Sequence, residues 1–370
     1  MSFFSYTFLG EFMKKTIIIS IILLLLPLNI KAIETSATSA ILIDTDTNRI
    51  LYSKDIHNQR SVASISKIMT AILAIESGKL DEIVQIGDEI TDAYGSGIYI
   101  KQNEHMKLED LVYGLMLRSG NDAALSIAKY VGGNVDNFVT MMNDKAKQLG
   151  MKNTIFNNPS GLDEKKGNFS TAYDMSLLIS YAIKNDNFKK IVGTKKHTLE
   201  TDMNVYSWTN KNKLLFSYKY TTGGKTGFTQ IARRTLVTTA SKDDLNLAVV
   251  TLNDGNDFQD HKNLFEYGFN TYTKYQILTK GNINIPDDNN FLNKEVYIEN
   301  NFEYPLTQEE TKDILLKYVI ENKDNIGEIG KIQVYLSNKI IHEEKLYTKE
   351  IQKKDKTILQ KIKDWFNKIW

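Results

Sequence analysis

The chain of 370 residues contains no cysteine. That excludes thiol nucleophiles, disulfides and thiolate metal sites together. Histidine is nearly as scarce: His57, His105, His197, His261 and His342 lie far apart, with neither metal-ligand spacing nor a local serine–histidine pair. They are expected at the surface or in packing roles, and neither a metal site nor a cofactor is expected. An excess of one charge is missing too. With 46 Lys+Arg against 45 Asp+Glu, no basic field argues for nucleic acid. Nor is the apolar run at 16–26 long enough to cross a bilayer, which takes ~20 residues. It follows Lys14-Lys15 and precedes Pro27 and Ala32, the layout of a secretory leader, residues 1–32, cleaved after Ala32. Met13 fits the first residue of such a leader better than Met1, leaving 1–12 as an upstream extension. The mature protein is expected outside the cytoplasm.

What is present centres on Ala63-Ser64-Ile65-Ser66-Lys67-Ile68-Met69-Thr70. Ser64 and Lys67 are spaced i and i+3, which on a helix brings the amine close to the hydroxyl. A serine hydroxyl attacks poorly until a neighbouring base takes its proton. A lysine is that base only when held neutral, by burial or by a second cation. Burial is expected here. Ile65, Ile68, Met69, Ile72, Leu73 and Ile75 make the helix apolar nearly all round until Ser77-Gly78 ends it, so it should cross the core. The spacing alone is weak, since an N-cap serine and a solvated lysine also satisfy it. A second copy, Ser126 to Lys129, reads as ordinary helix surface.

Two further stretches bear on this pair. A helix over 108–117 should end at Arg118-Ser119-Gly120-Asn121-Asp122, and another should follow over 123–131. Ser119 and Asn121 on a rigid turn could relay a proton and orient an amide, although Ser, Gly and Asn also simply favour turns. Lys225-Thr226-Gly227 precedes two alternating runs, 235–240 and 245–252, joined at Lys242-Asp243-Asp244 as a hairpin. It reads as an edge strand beside a cleft, with Lys225 and Thr226 able to bind a carboxylate and Gly227 letting the backbone approach a ligand. No phosphate-loop frame surrounds it, and a glycine-rich turn with a surface lysine is the plain alternative. An earlier hairpin, Ala40-Ile41-Leu42-Ile43 with Ile50-Leu51-Tyr52, and helices over 135–149 and 172–183 complete this region.

Together, Ser64-x-x-Lys67, Ser119-Gly120-Asn121 and Lys225-Thr226-Gly227 resemble the motif set of the serine penicillin-recognising enzymes. The flanking residues are similar to those of the low-molecular-weight penicillin-binding proteins, the D-alanyl-D-alanine carboxypeptidases. They include Leu117-Arg118 and Asp122-Ala123-Ala124, Asn158-Pro159-Ser160-Gly161-Leu162-Asp163, Ser170-Thr171-Ala172-Tyr173-Asp174 and Phe228-Thr229. The resemblance implies an α+β transpeptidase-like fold over 33–276, an antiparallel sheet flanked by helices with a helical subdomain. It implies a serine peptidase that removes the terminal D-alanine of peptidoglycan pentapeptide stems and binds β-lactam antibiotics covalently. Ser64 would be nucleophile, Lys67 base and Ser119 proton relay. Asn121 would orient the acyl chain, and Lys225 and Thr226 would hold the carboxylate. The N–H groups of Ser64 and Phe228 would form an oxyanion hole beside Gly227, and Lys225 would help keep Lys67 neutral. The chain departs from the family where Val62 replaces a proline and Arg233 a glycine. A class A-like β-lactamase and a penicillin-binding sensor without turnover remain alternatives.

After about residue 276 short alternating runs at 295–298, 315–319 and 331–336 suggest a small β-rich domain, 277–347. The last stretch, 348–370, places Leu359, Ile362, Trp365, Phe366, Ile369 and Trp370 at helical spacing among lysines. That pattern suits an amphipathic helix lying on the outer face of the cytoplasmic membrane.

Overall fold

A computed structural model describes residues 33–163, 166–285, 294–322 and 326–350. The expected leader and the tail from 351 lie outside them. The chain divides into two units, Met1–Glu34 and Thr35–Trp370, and the second is described here.

Five antiparallel strands build the first sheet: β1 (Ser39–Asp44), β2 (Ile50–Lys54), β3 (Thr221–Thr229), β4 (Arg233–Lys242) and β5 (Leu245–Leu252). Their spatial order is β2-β1-β5-β4-β3, so the strand carrying Lys225-Thr226-Gly227 lies at an edge, as expected. β4 and β5 are joined through Asp243 and Asp244, both with positive φ (49° and 62°). Two left-handed residues match the twist of a two-residue hairpin, and Asp tolerates that conformation better than most residues.

The serine stretch begins as a short 3-10 turn, Ala63–Ser66, and continues as helix α1 (Lys67–Glu76). Residues 67–75 of α1 are all buried, so its apolar circumference puts it in the core against Ile41, Ile43, Val237 and Val250 of the sheet. Around it pack α2 (Leu108–Tyr113), α3 (Asn121–Gly132), α4 (Val135–Gln148), α5 (Ala172–Ala182) and α6 (Asp186–Gly193). Asn134 and Thr171 cap α4 and α5, each accepting a bond from the backbone N–H three residues on. Helix α7 (Asp257–Thr271) covers the sheet on strands β1, β4 and β5.

The expected helix over 108–117 is shorter. α2 gives way to a π-type turn, Gly114–Arg118, and the chain reverses at Ser119 in the left-handed region (φ 67°). Asn121 is not in the turn but is the first residue of α3. Ser126 is not at the surface: it is 1% exposed and donates to Glu89, while Lys129 is exposed. That second Ser-x-x-Lys spacing therefore forms no pair.

A second five-stranded antiparallel sheet follows, in the order Gly281–Asn282, Lys294–Ile298, Lys339–Glu350, Gly327–Leu336, Ile314–Ile320. It has its own apolar cluster, including Ile298, Ile332, Val334 and Leu346. The strand Lys339–Glu350 extends through 348–350, which were expected to open the terminal helix. Arg49, beside β2, bonds to Pro305 O and Glu310 and lies over the rings of Tyr272 and Tyr304 (5.2 and 5.0 Å). Among the described residues, no helix is long and apolar enough to cross a membrane.

Candidate active site

The site lies where α1 begins, between edge strand β3 and the turn at Ser119. Its backbone is held in uncommon conformations. Ala63, immediately before Ser64, has φ 49°, a left-handed geometry costing on the order of 1–3 kcal/mol in a non-glycine residue. The loop at Gly161 presses against that residue: a Cβ on Gly161 would stand 1.9 Å from Ala63 O, and its φ is 82°. Only glycine fits there. On the other side, a Cβ on Gly227 would meet Thr235 Oγ1 at 2.3 Å and Ser64 N at 3.1 Å. The backbone of β3 thus passes as close to Ser64 N as a glycine permits.

Lys67 is fully buried. Its Nζ is 3.2 Å from Ser64 Oγ, 2.7 Å from Asn121 Oδ1 and 2.5 Å from Ser160 O. A neutral amine has two protons and one lone pair. In that neutral form the two carbonyl acceptors would take the protons and the lone pair would face the serine hydroxyl. Burial, and after it the charge of Lys211, pushes Lys67 down to about 7, against a smaller opposing pull from Asp122. Lys211, which the sequence did not single out, is thus a second cation acting on Lys67. Lys225 is itself held well below the ordinary lysine range by burial, by Lys67 and by Lys211. Its amine donates to Thr226 O at 2.7 Å.

Ser64, Ser119, Thr226, Gly227 and Phe228 line one cavity of about 320 Å³, with Lys67 and Lys225 buried behind it. Asn121 lines a neighbouring, more apolar cavity of about 460 Å³ with Leu125, Val135, Pro159 and Leu162. Asn121 Nδ2 is held by Tyr94 O at 2.5 Å, which fixes Oδ1 toward Lys67. Asp122 takes the backbone N–H groups of Ile98 and Tyr99 (3.0 and 2.7 Å), tying the 94–99 loop to α3.

The residues expected at the site from the sequence thus gather around Ser64, with Asn121 facing the neighbouring cavity. Those not foreseen act through backbone or charge. Ser160 and Pro159 contribute carbonyls, to Lys67 and to Thr70 Oγ1 (2.6 Å). Lys211, Lys213 and the Arg234–Asp257 pair line the cleft from segments carrying no motif. Arg233, in the family's glycine position, has φ 58°. The turn keeps the left-handed geometry that glycine would adopt without strain, and the arginine is exposed. Of the histidines, His261 is fully buried between Thr238 Oγ1 (2.6 Å) and Thr251 Oγ1 (2.9 Å), and burial pushes it down to about 3. It is a packing residue.

The fold is that of solved penicillin-binding proteins. The chain superposes on penicillin-binding protein 5 of Haemophilus influenzae with a TM-score of 0.73, at 25% identity, covering 87% of this chain and 99% of that one. For penicillin-binding protein 6B of Escherichia coli the TM-score is 0.69 at 27% identity, covering 86% and 97%. In sequence, the chain is 30% identical to the D-alanyl-D-alanine carboxypeptidase DacF of Bacillus subtilis over 86% of both chains. It is 29% identical to DacD of E. coli over 90% of this chain and 91% of that one. Residues 28–256 match the Peptidase S11 profile, described as D-alanyl-D-alanine carboxypeptidase. The chain belongs to that family of serine peptidases.

Proposed function

We propose that the protein is a serine-type D-Ala-D-Ala carboxypeptidase that trims the terminal D-alanine from peptidoglycan stem peptides through an acyl-enzyme on Ser64, and that penicillin acylates the same oxygen. The observation that carries this reading is the buried amine of Lys67, held by Asn121 Oδ1 and Ser160 O with Ser64 Oγ 3.2 Å away. That arrangement supplies a general base poised near neutral pH. Ser64 Oγ attacks the carbonyl of the penultimate D-alanine as its proton passes to Lys67. The oxyanion is met by the N–H groups of Ser64 and Phe228. Ser119 passes a proton to the departing amine and Asn121 orients the acyl chain. Lys225 and Thr226 hold the terminal carboxylate. A bound carboxylate also favours the charged form of Lys225, and that charge then presses Lys67 further toward neutrality.

The β-lactamase alternative needs a carboxylate free to activate water for deacylation. Of the two candidates, Asp163 is engaged, accepting from Ser61 Oγ (3.1 Å) and Thr229 Oγ1, and Glu164 lies outside the described residues. The reading is tested by comparing D-alanine release from an acyl-Lys-D-Ala-D-Ala peptide with hydrolysis of penicillin. Sustained peptide turnover with a long-lived penicillin adduct is expected. Rapid penicillin hydrolysis would support the lactamase, and acylation without peptide turnover the sensor.

The tail is assigned to the membrane surface on its sequence: an apolar stripe ending in two tryptophans, interleaved with lysines. Removing 351–370 should abolish pelleting of the exported protein with anionic vesicles at low salt while peptide turnover persists, because every site residue lies before residue 260. Equal pelleting of both forms would refute the anchor.

A further inference from the structure

The cavity in front of Ser64 extends past the residues that would hold a terminal D-alanine. At about 320 Å³ it is the size of a site for a small organic ligand rather than for one methyl group. Its wall carries three cations, Lys211, Lys213 and Arg234, with Asp257 as a carboxylate among its lining residues. Asp257 is committed to Arg234, Oδ1 to the guanidinium at 2.6 Å, and the guanidinium also lies 5.6 Å from the Phe258 ring. Lys211 and Lys213 form no ion pair among the described residues. Nor are they placed on a loose loop. Asn212 between them is 1% exposed, donates from Nδ2 to Gly223 O of β3 (3.2 Å), and accepts from Leu214 N (3.2 Å). Lys211 N donates to Leu117 O (3.1 Å), just before Ser119. The two lysines thus flank a buried asparagine tied to β3, on a segment whose backbone is also tied to Leu117. One terminal carboxylate leaves this wall short of negative charge.

We propose that this wall is a subsite for a second carboxylate on the leaving residue, so that the enzyme also releases D-amino diacids such as D-glutamate from D-Ala-D-Glu termini. The proposal rests on the carboxypeptidase reading, which sets which side of Ser64 holds the leaving residue. The chemistry balances without another reactant. Ser64 Oγ bonds to the D-alanyl carbonyl, the amide C–N bond breaks, and the serine proton leaves on the amine of the diacid. Water then hydrolyses the ester and restores Ser64. Lys213 serves as a positioning charge, its amine facing the side-chain carboxylate.

The test uses the mature enzyme and three acyl-tripeptides ending in D-Ala-D-Ala, D-Ala-D-Gln and D-Ala-D-Glu. The glutamine peptide matches the glutamate peptide in size and lacks its charge. The D-Glu peptide should be cleaved with a kcat/KM at least equal to that of the D-Gln peptide. Lys213→Glu should lower the D-Glu/D-Gln ratio by at least about tenfold, as like charges meet. Lys213→Arg should keep the ratio. A ratio unmoved by Lys213→Glu, or a D-Glu peptide cleaved far more slowly than D-Gln by the wild-type enzyme, overturns the subsite. D-Ala-D-Ala cleavage would still stand in that case. Penicillin acylation with none of the three peptides cleaved overturns the carboxypeptidase reading, and the subsite with it.

Discussion

Ser64→Ala is expected to abolish covalent labelling by penicillin and to lower D-alanine release by at least about 10³-fold. Removing the oxygen removes the bond that the acyl-enzyme is made of, and among the described residues no neighbouring hydroxyl lies equally close to Lys67 Nζ. Ser119 is on the opposite wall, and Ser66 Oγ is turned back to Ala63 O at 2.8 Å. The fold should survive. Ser64 is partly exposed, and the hydrogen bond its hydroxyl makes is the one to Lys67. Circular dichroism and the thermal midpoint should change little while the label disappears. Labelling that persists in a folded variant would place the nucleophile elsewhere.

Lys67→Met should lower acylation by about 10²–10⁴-fold, the worth of a positioned general base. In the wild-type enzyme the acylation rate should rise with pH up to about 7, as Lys67 loses its proton. Stability carries a second signature. The folded-state pKa of Lys67 is lowered from 10.5 to about 7. Between those values the unfolded chain keeps a proton that the folded chain has released, so the unfolded state binds more protons and stability must rise with pH. Below about 7 both states are protonated and the contribution is flat, with the full cost of the buried amine present. The methionine variant lacks this term. The wild-type unfolding free energy minus that of the variant should therefore climb by ~1 kcal/mol per pH unit from 7 toward 10. Parallel curves would mean that Lys67 remains charged in the folded protein and is not the base.

What could be read in the sequence follows what carries information locally. The apolar circumference of 65–75 placed α1 in the core, Ser119-Gly120 fell on a helix-linking turn with Asn121 opening α3, and Lys225-Thr226-Gly227 fell on an edge strand. Three features were hidden because side-chain pattern does not encode them. The carbonyl of Ser160 reaches Lys67 through backbone geometry, set by a glycine pressed onto Ala63. A cation that lowers Lys67, Lys211, lies over a hundred residues away and in no motif. The left-handed turn at Arg233 persists without its glycine, since a conformation costing about 1 kcal/mol is retained when the surrounding hairpin fixes it. In the second sheet, the strand Lys339–Glu350 went unread because its alternation is carried by polar residues: Glu344 and Thr348 are buried along with Leu346.

The central claim is that one serine, made nucleophilic by a buried neutral lysine, carries the acyl group. The most direct measurement is the intact mass of the purified protein after brief incubation with penicillin, followed by proteolysis and sequencing of the modified peptide. The account predicts a single adduct, on the peptide containing Ala63-Ser64-Ile65-Ser66-Lys67, with the mass on Ser64. An adduct on Ser119, on Ser126 or on any lysine would contradict it, as would a folded protein that gains no mass.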